Sequence, residues 1–273
     1  MKVKKVRLDV LLVERGLAET REKAKRTVMA GLVYSDTERL DKPGVKVSED
    51  IPLAVKGQVM PYVGRGGLKL EKALTYFDID VTGRTMLDIG SSTGGFTDCA
   101  LMNGAKLSYA LDVGYNQLAW KLRNDARVKV MERTNFRHAT PDLFTAGLPD
   151  FATIDVSFIS LKLIIPPLKE ILVMNGEAVV LIKPQFEAGK AQVGKKGIVR
   201  DPSVHLDVLE RTLLFMMAEG FTICNLTYSP ITGGDGNIEF LAHIKRTTTN
   251  ETSLDIHELI EQTVKSAHES LTY

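Results

Sequence analysis

Short apolar runs alternate with stretches of helical spacing from Thr85 onward. Such alternation is typical of a doubly wound α/β domain whose sheet is mostly parallel. The last two apolar runs are joined by SPITGGDGN, which has no helical pattern, so they should form an antiparallel hairpin at one edge of the sheet. The pattern predicts seven strands, over residues 85–89, 107–111, 128–131, 150–155, 177–183, 221–228 and 238–244.

The residues ahead of this alternation follow a different pattern. Two short helices are predicted over 7–16 and 20–31, and short apolar strands follow them. Residues 56–67 hold one proline and four glycines, as a linker would. We therefore expect a small α+β domain over 1–59, a linker over 60–67, an α/β domain over 68–246 and a tail with an amphipathic helix over 247–273.

The composition is that of an ordinary globular protein, with 44% hydrophobic and 25% charged residues. No apolar run approaches the length of a membrane span, and the longest near the basic N-terminus is too short for a secretion signal. Cys99 and Cys224 lie in no metal-type spacing and should be reduced. These observations favour a cytoplasmic protein without a metal site or a membrane anchor.

The net charge of +1 conceals an asymmetry between the two parts of the chain. Residues 1–60 carry 13 Lys or Arg and nine Asp or Glu, whereas the remaining residues carry 22 and 25. A basic module ahead of a mildly acidic one suggests that the front part contacts nucleic acid. Ordinary solvated surface is the alternative explanation for so small an excess.

A glycine-rich turn follows the first strand of the α/β domain, in TMLDIGSSTGGFT (85–97). The spacing Asp-x-Gly-x-x-x-Gly-Gly is used by many S-adenosylmethionine (SAM) enzymes, because a nucleoside must approach the backbone closely there. The aspartate of this motif is Asp88, near the end of the first strand. A second carboxylate, Asp112, follows the next strand and is suited to bind ribose hydroxyls. A turn without a ligand is the alternative, but two strand-end carboxylates around one glycine turn favour a nucleoside site.

Three further polar residues stand at strand ends, where open α/β sheets bind their ligands. Asp155, Lys183 and Glu239 each close or open an apolar run, and each alone could be a solvated end or an ion pair. Lys69 lies in the helix predicted for LKLEKALTYF, where we expect it away from the apolar face and in solvent. In chain order the four residues read Lys–Asp–Lys–Glu.

This order resembles the catalytic tetrad of the FtsJ/RrmJ-type ribose 2′-O-methyltransferases. The front part, with two helices followed by AGLVY (30–34), resembles the S-four-type RNA-binding domain. The combination resembles the TlyA family, whose members are often called hemolysins. The resemblance covers roughly residues 5–246 and rests on YVGRGGLKL, DIGSSTGGFTDC, ALDVGYNQLAW, ERTNFR, IDVSFISL, LIKPQFEAG and GIVRDP.

The resemblance implies a seven-stranded, Rossmann-like SAM-dependent methyltransferase sheet with an antiparallel edge hairpin. It implies methyl transfer to a ribose 2′-hydroxyl of ribosomal RNA, with a cytidine as the expected nucleotide and ribosomal subunits as partners. Lys183 would deprotonate or orient the hydroxyl, and Asp155 would hold the ammonium group of Lys183. Lys69 and Glu239 would steer the ribose.

The other expected contacts are assigned as follows. The SAM-binding residues would be Asp88, Gly90, Ser91, Ser92, Thr93, Gly94, Gly95, Asp112, Val113, Asn135 and Phe136. The RNA-binding residues would be Arg7, Arg21, Lys25, Arg26, Arg65, Lys190, Lys195, Lys196 and Arg200. The last four lie in a glycine-rich basic loop over 185–201, which could instead be a bare connection.

Two other classes of function compete with this interpretation. A non-catalytic RNA-binding or ribosome-assembly protein could retain a relic methyltransferase fold, although it would have little need for Lys183 together with the rest of the tetrad. A pore-forming hemolysin would need a secretion signal or spanning segment that the sequence does not show. The sequence does not determine the oligomeric state.

Overall fold

The computed structural model describes residues 4–57, 60–194, 196–248 and 254–271. The chain forms two compact units, over residues 1–61 and 62–273. Each has its own buried apolar core, with one cluster in the first unit and two in the second. None of the helices in these described ranges is long and apolar enough to cross a membrane.

The first unit is a small α+β domain. Its elements are β1 (Lys5–Arg7), α1 (Leu8–Glu14), α2 (Arg21–Met29), β2 (Val33–Ser35), β3 (Glu38–Arg39), β4 (Lys46–Ser48) and β5 (Ala54–Val55). Both predicted helices are present but shorter than expected, and Thr20 caps α2 by accepting a hydrogen bond from the Lys23 N–H. The sequence pattern missed β1, which pairs with β4, because three residues are too few to show a period.

A buried carboxylate organises the basic residues of this unit. Asp9 is fully buried in α1, and its oxygens accept hydrogen bonds from the Arg7 and Arg21 guanidinium groups at 3.0 Å. The Arg7 hydrogen bond is the main cause that lowers the pKa of Asp9 to about 2. Arg7 and Arg21, both expected to bind RNA, are therefore also engaged by Asp9, and their contact with RNA stays a prediction. Lys25 pairs with Glu22, and Arg26 is exposed.

The second unit is a seven-stranded α/β sheet in the order β11-β12-β10-β9-β6-β7-β8. The predicted hairpin is confirmed, since β12 runs antiparallel to both β11 and β10 while the other pairs are parallel. The strands are β6 (Thr85–Ile89), β7 (Leu107–Leu111), β8 (Val128–Met131), β9 (Phe151–Ile154), β10 (Glu177–Ile182), β11 (Phe221–Tyr228) and β12 (Phe240–Arg246).

Helices cover both faces of this sheet, with one buried apolar cluster on each. They are α3 (Gly66–Phe77), α4 (Gly95–Met102), α5 (Trp120–Arg123), α6 (Ile165–Ile171), α7 (Pro184–Glu187), α8 (Pro202–Ala218) and α9 (Ile256–Leu271). Helix α3 begins two residues earlier than the linker prediction allowed, at Gly66. Cys99 is a buried free thiol in α4, and Cys224 is a half-buried free thiol in β11.

The C-terminal helix α9 packs on α8 and β11, where two histidines meet. His205 of α8 is fully buried, and its Nδ1 lies 2.9 Å from His268 Nε2 of α9. Burial, and secondarily the neighbouring His268, lower the pKa of His205 to about 4. The helix predicted in the tail is therefore part of the packed core of this unit.

Acid should weaken this packing. Between pH 6.5 and about 4 the unfolded state binds a proton on His205 and the folded state does not, so the stability present above pH 6.5 is lost as the pH falls. We expect the free energy of unfolding in urea to fall by about 3 kcal/mol from this residue between these pH values. His205→Gln should remove that part of the pH dependence, whereas the same change at the exposed His257 should preserve it. Equal pH profiles for both variants would contradict the assignment.

Candidate active site

Four charged side chains form a continuous chain at the carboxyl ends of the central strands. Lys69 Nζ lies 2.7 Å from Glu239 Oε2 and 3.6 Å from Asp155 Oδ2. The other oxygen of Asp155 lies 2.5 Å from Lys183 Nζ. The order Glu239–Lys69–Asp155–Lys183 alternates in sign, so two ammonium groups share one carboxylate. The structure therefore brings together all four residues that the sequence placed in one tetrad.

The sequence pattern suggested that Lys69 lies on a solvated face of α3, but the structure buries this side chain. Only 6% of its surface is exposed, and the Glu239 carboxylate that it contacts is 3% exposed. The two residues are 170 positions apart and meet because the hairpin places β12 beside β10, one strand in from the edge of the sheet. A lysine so buried is stable only with a carboxylate partner.

Further residues lie beside the tetrad along the edge of the sheet where the central strands end, which we call the rim. The sequence pattern did not predict them. Ser157 accepts a hydrogen bond from Lys183 Nζ at 3.0 Å, and Gln185 Nε2 lies 3.5 Å from Glu239 Oε1. Phe158 is 91% exposed with a positive φ of 61°, and its ring centre lies 5.0 Å from that of Phe186. The only sequence signal for them was their position two or three residues after Asp155 or Lys183.

Glu187 joins the two segments that carry Asp155 and Lys183. Its carboxylate accepts hydrogen bonds from Ser160 Oγ and from the Leu161 N–H, both at 2.7 Å. Burial raises the pKa of Glu187, and these two hydrogen bonds oppose that increase. The carboxylate thus fixes the position of the turn after β9 relative to α7.

The glycine turn after β6 is shaped by close backbone contacts. Gly90 has a φ of +84°, and a Cβ atom there would lie 2.3 Å from the Asp155 carbonyl oxygen. Gly94 has a φ of +95°, and a Cβ would meet Leu122 at 2.3 Å. Both positions therefore require glycine. The turn also carries Ser92, whose N–H donates to Asp112 Oδ2 at 2.8 Å.

Asp88 has a different position from the one expected of a ligand-binding carboxylate. It is buried, and its oxygens accept hydrogen bonds from the Thr97 N–H and hydroxyl and from the Thr153 hydroxyl, at 2.7–3.1 Å. Burial raises its pKa to about 6 despite these hydrogen bonds. Asp88 therefore holds α4 and β9 together beneath the glycine turn and also lines the cavity above it, and its contact with SAM stays a prediction.

Two adjoining cavities open along this rim. One, of about 340 Å³, contains the four tetrad residues together with Arg65 and Thr93. The other, of about 380 Å³, is lined by Asp112, Val113, Asn135 and Phe136. The two share the residues Gly90, Ser92, Asp155, Ser157 and Phe158. A ligand in either cavity would therefore reach the space beside Asp155.

The predicted RNA-binding residues of this unit lie near the first cavity only in part. Arg65 lines it and donates to the Thr232 carbonyl. Lys190, Lys196 and Arg200 are exposed on the loop after α7. Lys195 lies outside the described residues. The buried Asn237 side chain anchors this loop through the Val199 N–H at 2.9 Å and the Gly197 carbonyl at 3.0 Å.

Comparison with known proteins agrees with this arrangement. Residues 62–246 match the FtsJ-like methyltransferase family, and residues 6–50 match the S4 domain. The chain is 64% identical to YqxC of Bacillus subtilis, covering 99% of this chain and 97% of that protein. It is 41% identical to the 16S/23S rRNA (cytidine-2′-O)-methyltransferase TlyA of Mycobacterium tuberculosis, covering 90% and 91%.

A solved structure is similar over almost the whole chain. It comes from Streptococcus thermophilus, carries a hemolysin name, and has 55% identity and a TM-score of 0.77 over 98% of this chain and 97% of that one. The family match spans more than half of the chain and includes every strand of the large sheet. The chain therefore belongs to the FtsJ-like methyltransferase family, in the arrangement that places an S4 domain ahead of the methyltransferase domain.

Proposed function

We propose that this enzyme transfers a methyl group from SAM to the 2′-hydroxyl of a cytidine in ribosomal RNA, which places the reaction in the cytoplasm. The observation that carries the proposal is the position of Asp155 and Lys183 where the two cavities meet. A nucleoside cofactor in one cavity and a ribose in the other would present their reacting groups to the same ammonium. The relatedness to TlyA supports the choice of rRNA and of cytidine.

The second cavity fits SAM by its chemistry. Asp112 combines an acceptor carboxylate with a position at the end of β7, suited to the two ribose hydroxyls. Val113, Asn135 and Phe136 offer one apolar wall and one amide for an adenine. Gly90 allows the methionine part to pass close to the backbone. When bound, SAM supplies an activated methyl group that needs no acid assistance.

The tetrad would act on the ribose. Lys183, held by Asp155 and Ser157, would orient the 2′-oxygen toward the methyl group. In its neutral form it would accept the hydroxyl proton as the oxygen–carbon bond forms and the sulfur–carbon bond to the methyl group breaks, which releases S-adenosylhomocysteine. The resulting ammonium remains paired with Asp155. Lys69 and Glu239 fix the other side of Asp155 and steer the ribose. Most of the acceleration would come from in-line positioning.

The test is transfer of labelled methyl from SAM to rRNA by the purified full-length protein, followed by mapping of 2′-O-methyl sites. The proposal predicts label at a cytidine, and rRNA from a deletion strain should lack that same modification. Binding of SAM and rRNA without any transfer would reject the proposal in favour of a protein that only binds RNA.

The role of Asp112 can be tested separately. Asp112→Ala should weaken SAM binding by about 1–3 kcal/mol, because the ribose hydroxyls lose their acceptor. Calorimetric titration measures this loss, and Asp142→Ala serves as the control, since that carboxylate lies in neither cavity lining. Unchanged SAM affinity in Asp112→Ala would remove this residue from the cofactor site.

A further inference from the structure

Three large apolar side chains on the segment after β7 are exposed instead of packed. Val113 is 69% exposed, Tyr115 is 64% exposed and Trp120 is 77% exposed. A tryptophan that is mostly in water is unusual, since its ring normally contributes buried area. We call these three residues the aromatic patch. Three such side chains within eight positions of one segment, two of them aromatic, make this segment a candidate binding surface.

The aromatic patch borders the proposed active site. Val113 lines the second cavity, and the Ala119 N–H donates to the Thr93 carbonyl oxygen at 3.1 Å. Thr93 lines the first cavity. Trp120 therefore directly follows Ala119, a residue that is hydrogen-bonded to the wall of this cavity. Tyr115 and Trp120 are five residues apart, which limits the distance between their Cα atoms to about 18 Å. A ligand that lies on both rings therefore lies beside the active site.

The charge around the aromatic patch favours an anionic partner. Residues 113–137 carry six Lys or Arg and two Asp or Glu, whereas residues 61–273 as a whole carry 22 and 25. Three of the six cations pair with Asp98, Glu132 and Asp125, so the positive excess comes from Lys129, Arg133 and Arg137. The guanidinium of Arg133 lies over the Tyr115 ring, 4.1 Å from its centre. An aromatic ring with an arginine beside it provides a stacking surface for a base and a charge for a phosphate.

We propose that the aromatic patch binds unpaired bases of the RNA substrate next to the methylation site, with Trp120 and Tyr115 as stacking platforms. This inference rests on the proposed function for the identity of the partner. Single-stranded RNA fits the patch because its bases are free to stack on an exposed ring, whereas paired bases in a duplex are not. A second copy of this chain would offer no matching negative charge at its own patch.

Trp120 provides a direct readout, because it is the only tryptophan in the chain. An unstructured single-stranded RNA oligonucleotide of mixed sequence should quench its fluorescence in the full-length protein, and the same strand in a duplex should quench it much less. Trp120→Ala and Tyr115→Ala should each lower the affinity for the single strand roughly 5- to 150-fold. Trp120→Phe, which keeps an aromatic ring, should retain most of the affinity.

Two measurements separate stacking from other effects. The slope of affinity against salt should remain that of the wild type in Trp120→Ala, since the indole ring releases no counterions. SAM affinity should also remain, because Trp120 lines neither cavity. Tyr76→Ala is the matched control, as this tyrosine is 57% exposed on α3 and also lines neither cavity.

Any one of three results would overturn the inference. The first is unchanged Trp120 fluorescence at saturating single-stranded RNA, and the second is wild-type RNA affinity of both Trp120→Ala and Trp120→Phe. The third is loss of self-association in Trp120→Ala without any loss of RNA affinity. Binding is measured without methyl transfer. A protein that shows the quenching but no transfer would therefore reject the proposed function and leave the aromatic patch as an RNA surface.

Discussion

Replacing Lys183 with alanine should reduce methyl transfer to rRNA by about 10²- to 10⁴-fold, the loss typical of removing a general base. The side chain is the member of the tetrad that reaches both Asp155 and Ser157 where the two cavities meet. Its removal leaves the hydroxyl without a group that orients it or accepts its proton. The rate is measured in single turnovers with both SAM and rRNA saturating, so that weaker binding does not contribute.

Two further variants define what Lys183 does. Lys183→Arg keeps a positive charge beside Asp155 but cannot accept a proton at any useful pH, so it should not restore the rate. Lys106→Ala, at an exposed lysine ahead of β7, should transfer methyl groups like the wild type. Restoration of activity by arginine would mean that Lys183 only positions the RNA through its charge. A Lys183→Ala variant that kept most of its single-turnover rate would remove Lys183 from the chemistry altogether.

The second large effect is expected at the Lys69–Glu239 pair. Glu239→Ala leaves a buried ammonium without its nearer carboxylate, which typically costs about 3–5 kcal/mol of unfolding free energy. Asp155, at 3.6 Å from Lys69 Nζ, should keep the loss toward the lower end of that range. Urea unfolding at neutral pH measures the change. The exposed pair of Arg211 and Asp207 is the control, and Asp207→Ala should change the stability by less than about 1 kcal/mol.

A double variant separates stability from catalysis at this pair. Lys69→Met combined with Glu239→Leu replaces the buried charges with apolar side chains of similar volume, so stability should return to near the wild-type value. Methyl transfer should remain low, because the two charges proposed to hold Asp155 and steer the ribose would be absent. Recovery of activity together with stability would show that the pair is only structural.

The sequence determined the fold because two of its signals are local and strong. The alternation from Thr85 onward and the helix-free SPITGGDGN segment led to the parallel sheet and its antiparallel hairpin, both of which the structure contains. The sequence also determined which polar residues would lie together at the carboxyl ends of the strands. Parallel strands align their carboxyl ends, so Asp155 and Lys183 had to be neighbours once β9 and β10 paired.

Only the tertiary structure decided the surroundings of individual charges. Lys69 is buried because β12 brings Glu239 to it across 170 residues, and no helical period of α3 contains that information. Asp88 bonds to Thr97 and Thr153 beneath the glycine turn, and Asp9 engages Arg7 and Arg21. Trp120 would ordinarily be assigned to the core, yet the chain leaves it in solvent. Periodicity reports which face of an element is apolar, whereas the environment of a charge or a ring depends on long-range neighbours that only the folded chain brings together.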